Sequence, residues 1–135
     1  MNVDHLKHQH DGIYQLIEEI EANLNSAKIE SEAFNLSLKL GQLSGKLTMH
    51  LRSEDDYLYP SLKNSSDQQH REIGIRFSQE MSGIADRFFA YKSQYLAASK
   101  IKENPDKFIQ DTKAIFDILM KRLRTEDKSL YAIIS

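Results

Sequence analysis

The sequence contains no cysteine. Disulfides, thiolate metal ligands and cysteine nucleophiles are therefore excluded. Only five glycines and two prolines occur in 135 residues. A sheet protein of this size needs many more turns, so the shortage predicts long helices. No apolar run approaches the roughly 20 residues that cross a bilayer, and no membrane partner is expected. The stretch MNVDHLKHQHDGIY has neither the basic flank nor the apolar core of a secretory signal, which makes a cytoplasmic location the expectation. A formal net charge of −2 gives no electrostatic footing for nucleic acid. No Ser-His-Asp set, phosphate-cradling glycine loop or basic stripe is present. The length suits one domain, and no linker or low-complexity stretch divides it, so residues 1–135 read as a single unit.

What the chain does have is four segments with apolar residues spaced alternately by four and three, the period of an amphipathic helix. The first stripe is Leu6, His10, Ile13, Ile17, Ile20 and Leu24. The second is Leu36, Leu40, Leu43, Leu47, His50, Glu54 and Leu58. The third runs His70, Gly74, Phe77, Met81, Ile84, Phe88, Tyr91 and Tyr95, and the fourth Phe108, Thr112, Ile115, Leu119, Arg122, Glu126 and Leu130. Asn25-Ser26 ends the first helix and Ser31 can open the second. Ser66 and Gln69 have the spacing of a capping box, and Asn104 precedes a proline suited to a first helical turn. Four helices with short polar loops predict an all-α, up-down-up-down four-helix bundle.

Each stripe is interrupted by polar residues at one end: His10 early in helix 1, His50 and Glu54 late in helix 2, His70 and Gly74 early in helix 3, Arg122 and Glu126 late in helix 4. In an up-down-up-down bundle those four ends coincide. A buried charge without a partner is very costly, so the interruptions are expected to satisfy one another. Three imidazoles and two carboxylates in one volume make a mixed N/O site for a divalent transition metal. His50 and Glu54, four apart, share a helix face.

Two of these segments repeat: HLRSEDDYLYP from His50 and RLRTEDKSLYA from Arg122. With HDGIYQLI from His10 and HREI from His70, they give the whole chain a resemblance to the hemerythrin-like (HHE cation-binding) family. The resemblance implies a non-haem di-iron centre between four helices, in proteins that carry oxygen, sense oxygen or nitric oxide, or handle iron. Its implied metal ligands are His10, His50, Glu54, His70 and Glu126, with both carboxylates bridging. Two positions depart from the pattern. Gly74 stands where a second helix 3 ligand is common (or Ser66 does, if His70 is that second ligand), and Arg122 replaces the helix 4 histidine. Both departures fall on the same metal. A guanidinium has five donors and no acceptor, so it cannot ligate, but it can replace a cation's charge beside two carboxylates.

Three states of the site are therefore open: one metal with Arg122 standing in for the second, no metal and a buried Arg/Glu/His network, or two irons with one poorly held. The leading expectation is a non-enzymatic iron-binding protein that senses or handles iron, oxygen or nitric oxide. The alternative is a metal-free module whose surface binds a regulatory protein partner. No extra acid–base pair supports an iron enzyme. Blander roles also remain open for single residues. His10 alone could be a core histidine, and His5 and His8 fall off the stripe. Helix 4 has a competing stripe, Ile109, Phe116, Leu119, Leu123 and Leu130, that would turn Arg122 to water. Tyr14, Tyr57, Tyr59 and Tyr131 read as core or rim aromatics, although Tyr57 or Tyr59 could hydrogen-bond a ligating carboxylate.

Overall fold

A computed structural model describes residues 2–134, and no strand occurs among them. The elements are α1 (Asp4–Glu21), α2 (Ser26–Ser53), a π-helical turn (Glu54–Leu58), α3 (Tyr59–Lys63), α4 (Gln68–Gln94), α5 (Ala98–Glu103), α6 (Pro105–Thr125), a second π-helical turn (Glu126–Leu130) and α7 (Tyr131–Ile134). The four long helices α1, α2, α4 and α6 are the bundle that the stripes predict. α1 packs chiefly on α2, and α4 packs on α6 as well as on α3. None of the described helices is long and apolar enough to cross a membrane.

Three helix starts follow from side-chain caps, which satisfy otherwise orphaned N–H groups. Asn25 accepts from the Lys28 N–H at 3.1 Å, so α2 begins at Ser26 rather than Ser31. Asp67, not Ser66, caps α4, accepting from Gln69 and His70. Asn104 caps α6 through the Lys107 N–H, with Pro105 following it as expected. The short α5 is an addition to the expected plan; its Ile101 is buried.

The stripes on α1 and α2 are buried throughout, and on α6 the competition is settled by burying nearly all of both sets, with Ile109 of the competing stripe only half-buried. Phe108, Thr112, Ile115, Leu119, Arg122 and Glu126 all face inward, and so do Phe116 and Leu123. A wide apolar face accommodates both because α6 contacts α1, α2 and α4.

The two π-helical turns begin at corresponding residues of the sequence repeat, Glu54 and Glu126. In a straight α-helix a residue five positions on points about 140° away from the first. A wider turn shrinks that offset and brings residues i and i+5 towards one face. Glu54 with Tyr59, and Glu126 with Tyr131, are consequently buried together, while Tyr57 is turned out and 64% exposed.

The buried apolar residues fall into two clusters. The larger fills most of the bundle and includes Ile13, Leu47, Phe88, Phe116 and Leu119. The smaller closes one end with Val3, Leu6, Leu58, Leu62, Phe77 and Leu130. His10, His50, Glu54 and Glu126 lie along the helices between members of the two clusters, forming a polar layer with apolar matter on either side.

Gly74 is required by a close approach of α4 to α3. A Cβ at this position would stand 2.7 Å from Leu62 Cβ and 3.3 Å from the Lys63 backbone nitrogen. Gly74→Ala gains up to ~1 kcal/mol in helix propensity but overpacks the contact by about 1–3 kcal/mol. The expected net result is a lower urea unfolding midpoint; a raised midpoint would show that α3 yields freely.

Candidate metal centre

His10 from α1, His50 from the end of α2, and Glu54 and Glu126 from the two π-helical turns converge. One donor atom from each lies within 4.8 Å of all the others. All four side chains are fully buried. His10 Nε2 is 2.9 Å from His50 Nε2 and 3.1 Å from Glu126 Oε1. His50 Nε2 is 3.4 Å from Glu54 Oε1 and 3.5 Å from Glu126 Oε1.

The outer face of each imidazole fixes what its inner face presents. His10 Nδ1–H donates to Asp127 Oδ1 at 2.8 Å, and Asp127 also accepts from the Tyr14 hydroxyl at 2.7 Å. His50 Nδ1–H donates to Gln9 Oε1 at 2.8 Å, and the Gln9 amide nitrogen donates to Ser53 Oγ, which holds the amide that way round. With Nδ1 carrying the hydrogen, each neutral ring aims its Nε2 lone pair inward. Two lone pairs and two carboxylates facing one another repel unless a cation lies among them. A proton or a metal ion can fill that role.

The donor set fits a metal. Atoms bound to one ion at ~2.0–2.2 Å are neighbours at roughly 3–3.5 Å; the four contacts given above run from 2.9 to 3.5 Å, and no pair in the set is more than 4.8 Å apart. Two imidazoles with two carboxylates suit iron, zinc and related transition ions.

Two tyrosines complete the layer. Tyr131 Oη donates to Glu54 Oε2 at 2.7 Å and lies 3.1 Å from His10 Nε2 and 3.4 Å from Glu126 Oε1. Tyr59 Oη is 3.4 Å from Glu54 Oε1 and from Glu126 Oε2. Burial, reinforced by both carboxylates, pushes the two phenols far above their ordinary range.

On the other side of Glu126 lies Arg122, only 6% exposed. Its Nη2 donates to the Phe77 carbonyl at 2.7 Å, and Nη1 reaches Glu80 Oε2 at 3.2 Å. The guanidinium carbon is 4.2 Å from the centre of the Phe77 ring. Nε sits 3.7 Å from Glu126 Oε2 without a hydrogen bond. A cation is thus fixed beside Glu126 at the position where the sequence resemblance implies a histidine.

Of the expected ligands, the structure brings together His10, His50, Glu54 and Glu126 and leaves His70 apart. His70 lies in the first turn of α4, its side chain 31% exposed and its Nε2 3.9 Å from Asp67. The α4 residue level with the site is Phe77, seven positions and about 10 Å further along the helix. Gly74 is filled by the approach of α3, which leaves no room for a ligand there. Tyr57 points to solvent, whereas Tyr59 does touch the carboxylates. Tyr131, Asp127 and Gln9 were not singled out by the spacing argument. A signal for Tyr131 existed: it matches Tyr59 in the repeat, five residues after the glutamate in both copies, whereas Tyr57 has Ser129 as its counterpart.

Burial works against a charged His50, but hydrogen bonds and charge from Glu126 and Glu54 prevail and raise its pKa to about 9. Burial likewise opposes ionised Glu126, yet both histidines outweigh it and hold the carboxyl down at about 2. Glu54 is raised by burial and by the charge of Glu126. The signs follow from linkage. The His50 contribution is full below pH ~6.5 and lost as pH rises through 9. The Glu126 contribution is full above the ordinary carboxyl range and lost as pH falls towards 2. Chelator-treated protein is therefore expected to be most stable in mildly acidic solution and to weaken between neutral pH and pH 9, as measured by thermal unfolding across pH. A flat profile above neutrality would contradict a protonated His50.

A helical bundle with a buried layer of two histidines and two carboxylates is one that could hold a cation. The family model described as the hemerythrin HHE cation binding domain matches residues 1–134, and the chain belongs to this family. No curated protein and no solved structure matches it.

Proposed function

We propose that this protein is a non-haem iron module that holds one metal ion on His10, His50, Glu54 and Glu126 and serves to sense or handle iron, oxygen or nitric oxide. The observation that carries the reading is the pair of anchored imidazoles, each with Nδ1–H tied outward and Nε2 turned towards two carboxylates. That arrangement selects a cation and holds its donors in place before binding.

The count of one rests on Arg122. Two carboxylates and one guanidinium leave a single net negative charge, and the half of the site beyond Glu126 is occupied by the Arg122 fork and the Phe77 ring. Iron, when bound, supplies redox chemistry and affinity for diatomic ligands. The chain's own residues do the rest: Asp127 and Gln9 orient the imidazoles, Arg122 balances charge, and the apolar clusters exclude water.

The test is metal content per chain after anaerobic reconstitution with ferrous iron and gel filtration. One iron per chain is expected. Two would overturn the role given to Arg122. None, together with a melting temperature indifferent to chelator, would favour a metal-free interaction module. A visible spectral change on adding nitric oxide to the loaded protein is expected of a sensor; its absence would restrict the role to iron handling.

A further inference from the structure

We infer that Tyr131 is a fifth protein ligand, so that the site is built to hold ferric iron through a phenolate oxygen; the inference rests on the metal-binding reading above. Its Oη is 3.1 Å from His10 Nε2, 2.7 Å from Glu54 Oε2 and 3.4 Å from Glu126 Oε1. The contacts to His10 and Glu126 match the spacing among the four donors already described, and the shorter one is the phenol's hydrogen bond to the other oxygen of Glu54. Tyr131 is fully buried, so its oxygen meets the site and not solvent.

A core tyrosine needs only one acceptor for its hydroxyl, and Glu54 alone would suffice. Tyr131 instead touches three of the four donor residues, one of them an imidazole nitrogen. Tyr59 provides the contrast within the same layer. It approaches the two carboxylates at 3.4 Å and no imidazole, which places it beside the donor set rather than within it. The backbone points the same way. The π-helical turn Glu126–Leu130 is what carries residue 131 to the face of Glu126, and such turns are rare and concentrate at functional sites.

Charge and hardness select the oxidation state. A phenolate adds a third anionic oxygen, and hard oxygen donors suit hard cations. One more anionic ligand and one more positive charge on the metal leave the net charge of the layer unchanged. When ferric iron binds, the phenol O–H bond breaks, an oxygen–metal bond forms and the proton leaves to solvent. No electron is transferred if the iron is supplied as ferric ion.

The experiment is to load the full chain with ferric citrate, remove excess iron, and record iron per chain, visible absorption and resonance Raman spectra. The wild type is expected to show a phenolate-to-iron charge-transfer band with tyrosine ring modes enhanced on exciting it. Tyr131→Phe should lose the band and keep at least half of its iron, and Tyr59→Phe should keep both. Iron bound without the band in the wild type, or a band that survives in Tyr131→Phe, overturns the assignment while leaving the metal site standing. No iron bound at all overturns the metal reading and this inference with it. Should Tyr131→Phe fail to fold, Tyr59→Phe decides: a retained band assigns it to Tyr131, and a lost band overturns the assignment.

Discussion

Arg122→Ala is expected to destabilise the metal-free protein by about 3–5 kcal/mol, read as a lower urea midpoint. The size follows from what is left behind. Glu126 is fully buried, and removing the guanidinium takes away a positive charge 3.7 Å from it. The Phe77 carbonyl also loses a 2.7 Å charge-assisted donor, and the Phe77 ring loses the cation stacked on its face. The contact with Glu80 adds little, because that carboxylate is half exposed. Arg122→Lys should recover only part of the loss, since an ammonium cannot reach the carbonyl, the ring and both carboxylates as a planar fork does. A loss below ~1 kcal/mol would place the guanidinium in the class of solvated surface pairs. Metal should shrink the penalty, because a cation in the layer supplies part of the charge that Arg122 provided.

The second large effect concerns stabilisation by metal. A ligand at a hundred times its dissociation constant stabilises the folded state by ~2.7 kcal/mol, and His50→Ala is expected to abolish that gain. His50 brings a donor 2.9 Å from His10 Nε2 and 3.4 Å from Glu54 Oε1, so its loss removes one imidazole and breaks the constellation. The variant will also be less stable without metal, because a buried side chain has been deleted. The telling quantity is the difference between melting temperatures with and without added cobalt(II), used as a spectroscopic stand-in for iron(II). A full metal-dependent rise in His50→Ala would remove His50 from the ligand set.

The helices were legible because burial on one face writes a period into the sequence. The stripe from Leu36 to Leu58, on α2 and the π-helical turn that follows it, obeys it without exception. The convergence of four of the five expected site residues was legible for the same reason: a polar residue on an inward stripe must meet a partner. His70 satisfied the same spacing rule but sits at the helix start, where the stripe has already run past the packed core. Periodicity assigns a face and not a depth, and depth along α4 is set by the approach of α3 at Gly74. Tyr59 meets the carboxylates as expected, whereas Tyr57 does not, and Tyr131 was not legible as a carboxylate partner for a different reason. An i+5 partner is invisible to a 3.6-residue template, and only the repeat, with Tyr59 and Tyr131 in register, carried the information. Asp127 and Gln9 lie off the stripes because they hold the imidazoles from outside.

The sandwiching of the polar layer has a kinetic meaning. A surface cleft of about 400 Å³ is lined in part by His8, Gln9, Asp11, Lys46 and Met49; Gln9 also holds His50, and all four donor residues are sealed from solvent. Loading and release of a cation there would require local opening, and the smaller cluster is the half closed by the shorter elements. It rests on Val3 and Leu6 near the start of the chain and on residues around the short helices α3 and α7. Occupancy would then be governed by residence time as much as by affinity: a cation once enclosed leaves at the rate of a local unfolding event, shielded from chelators that would strip an open site.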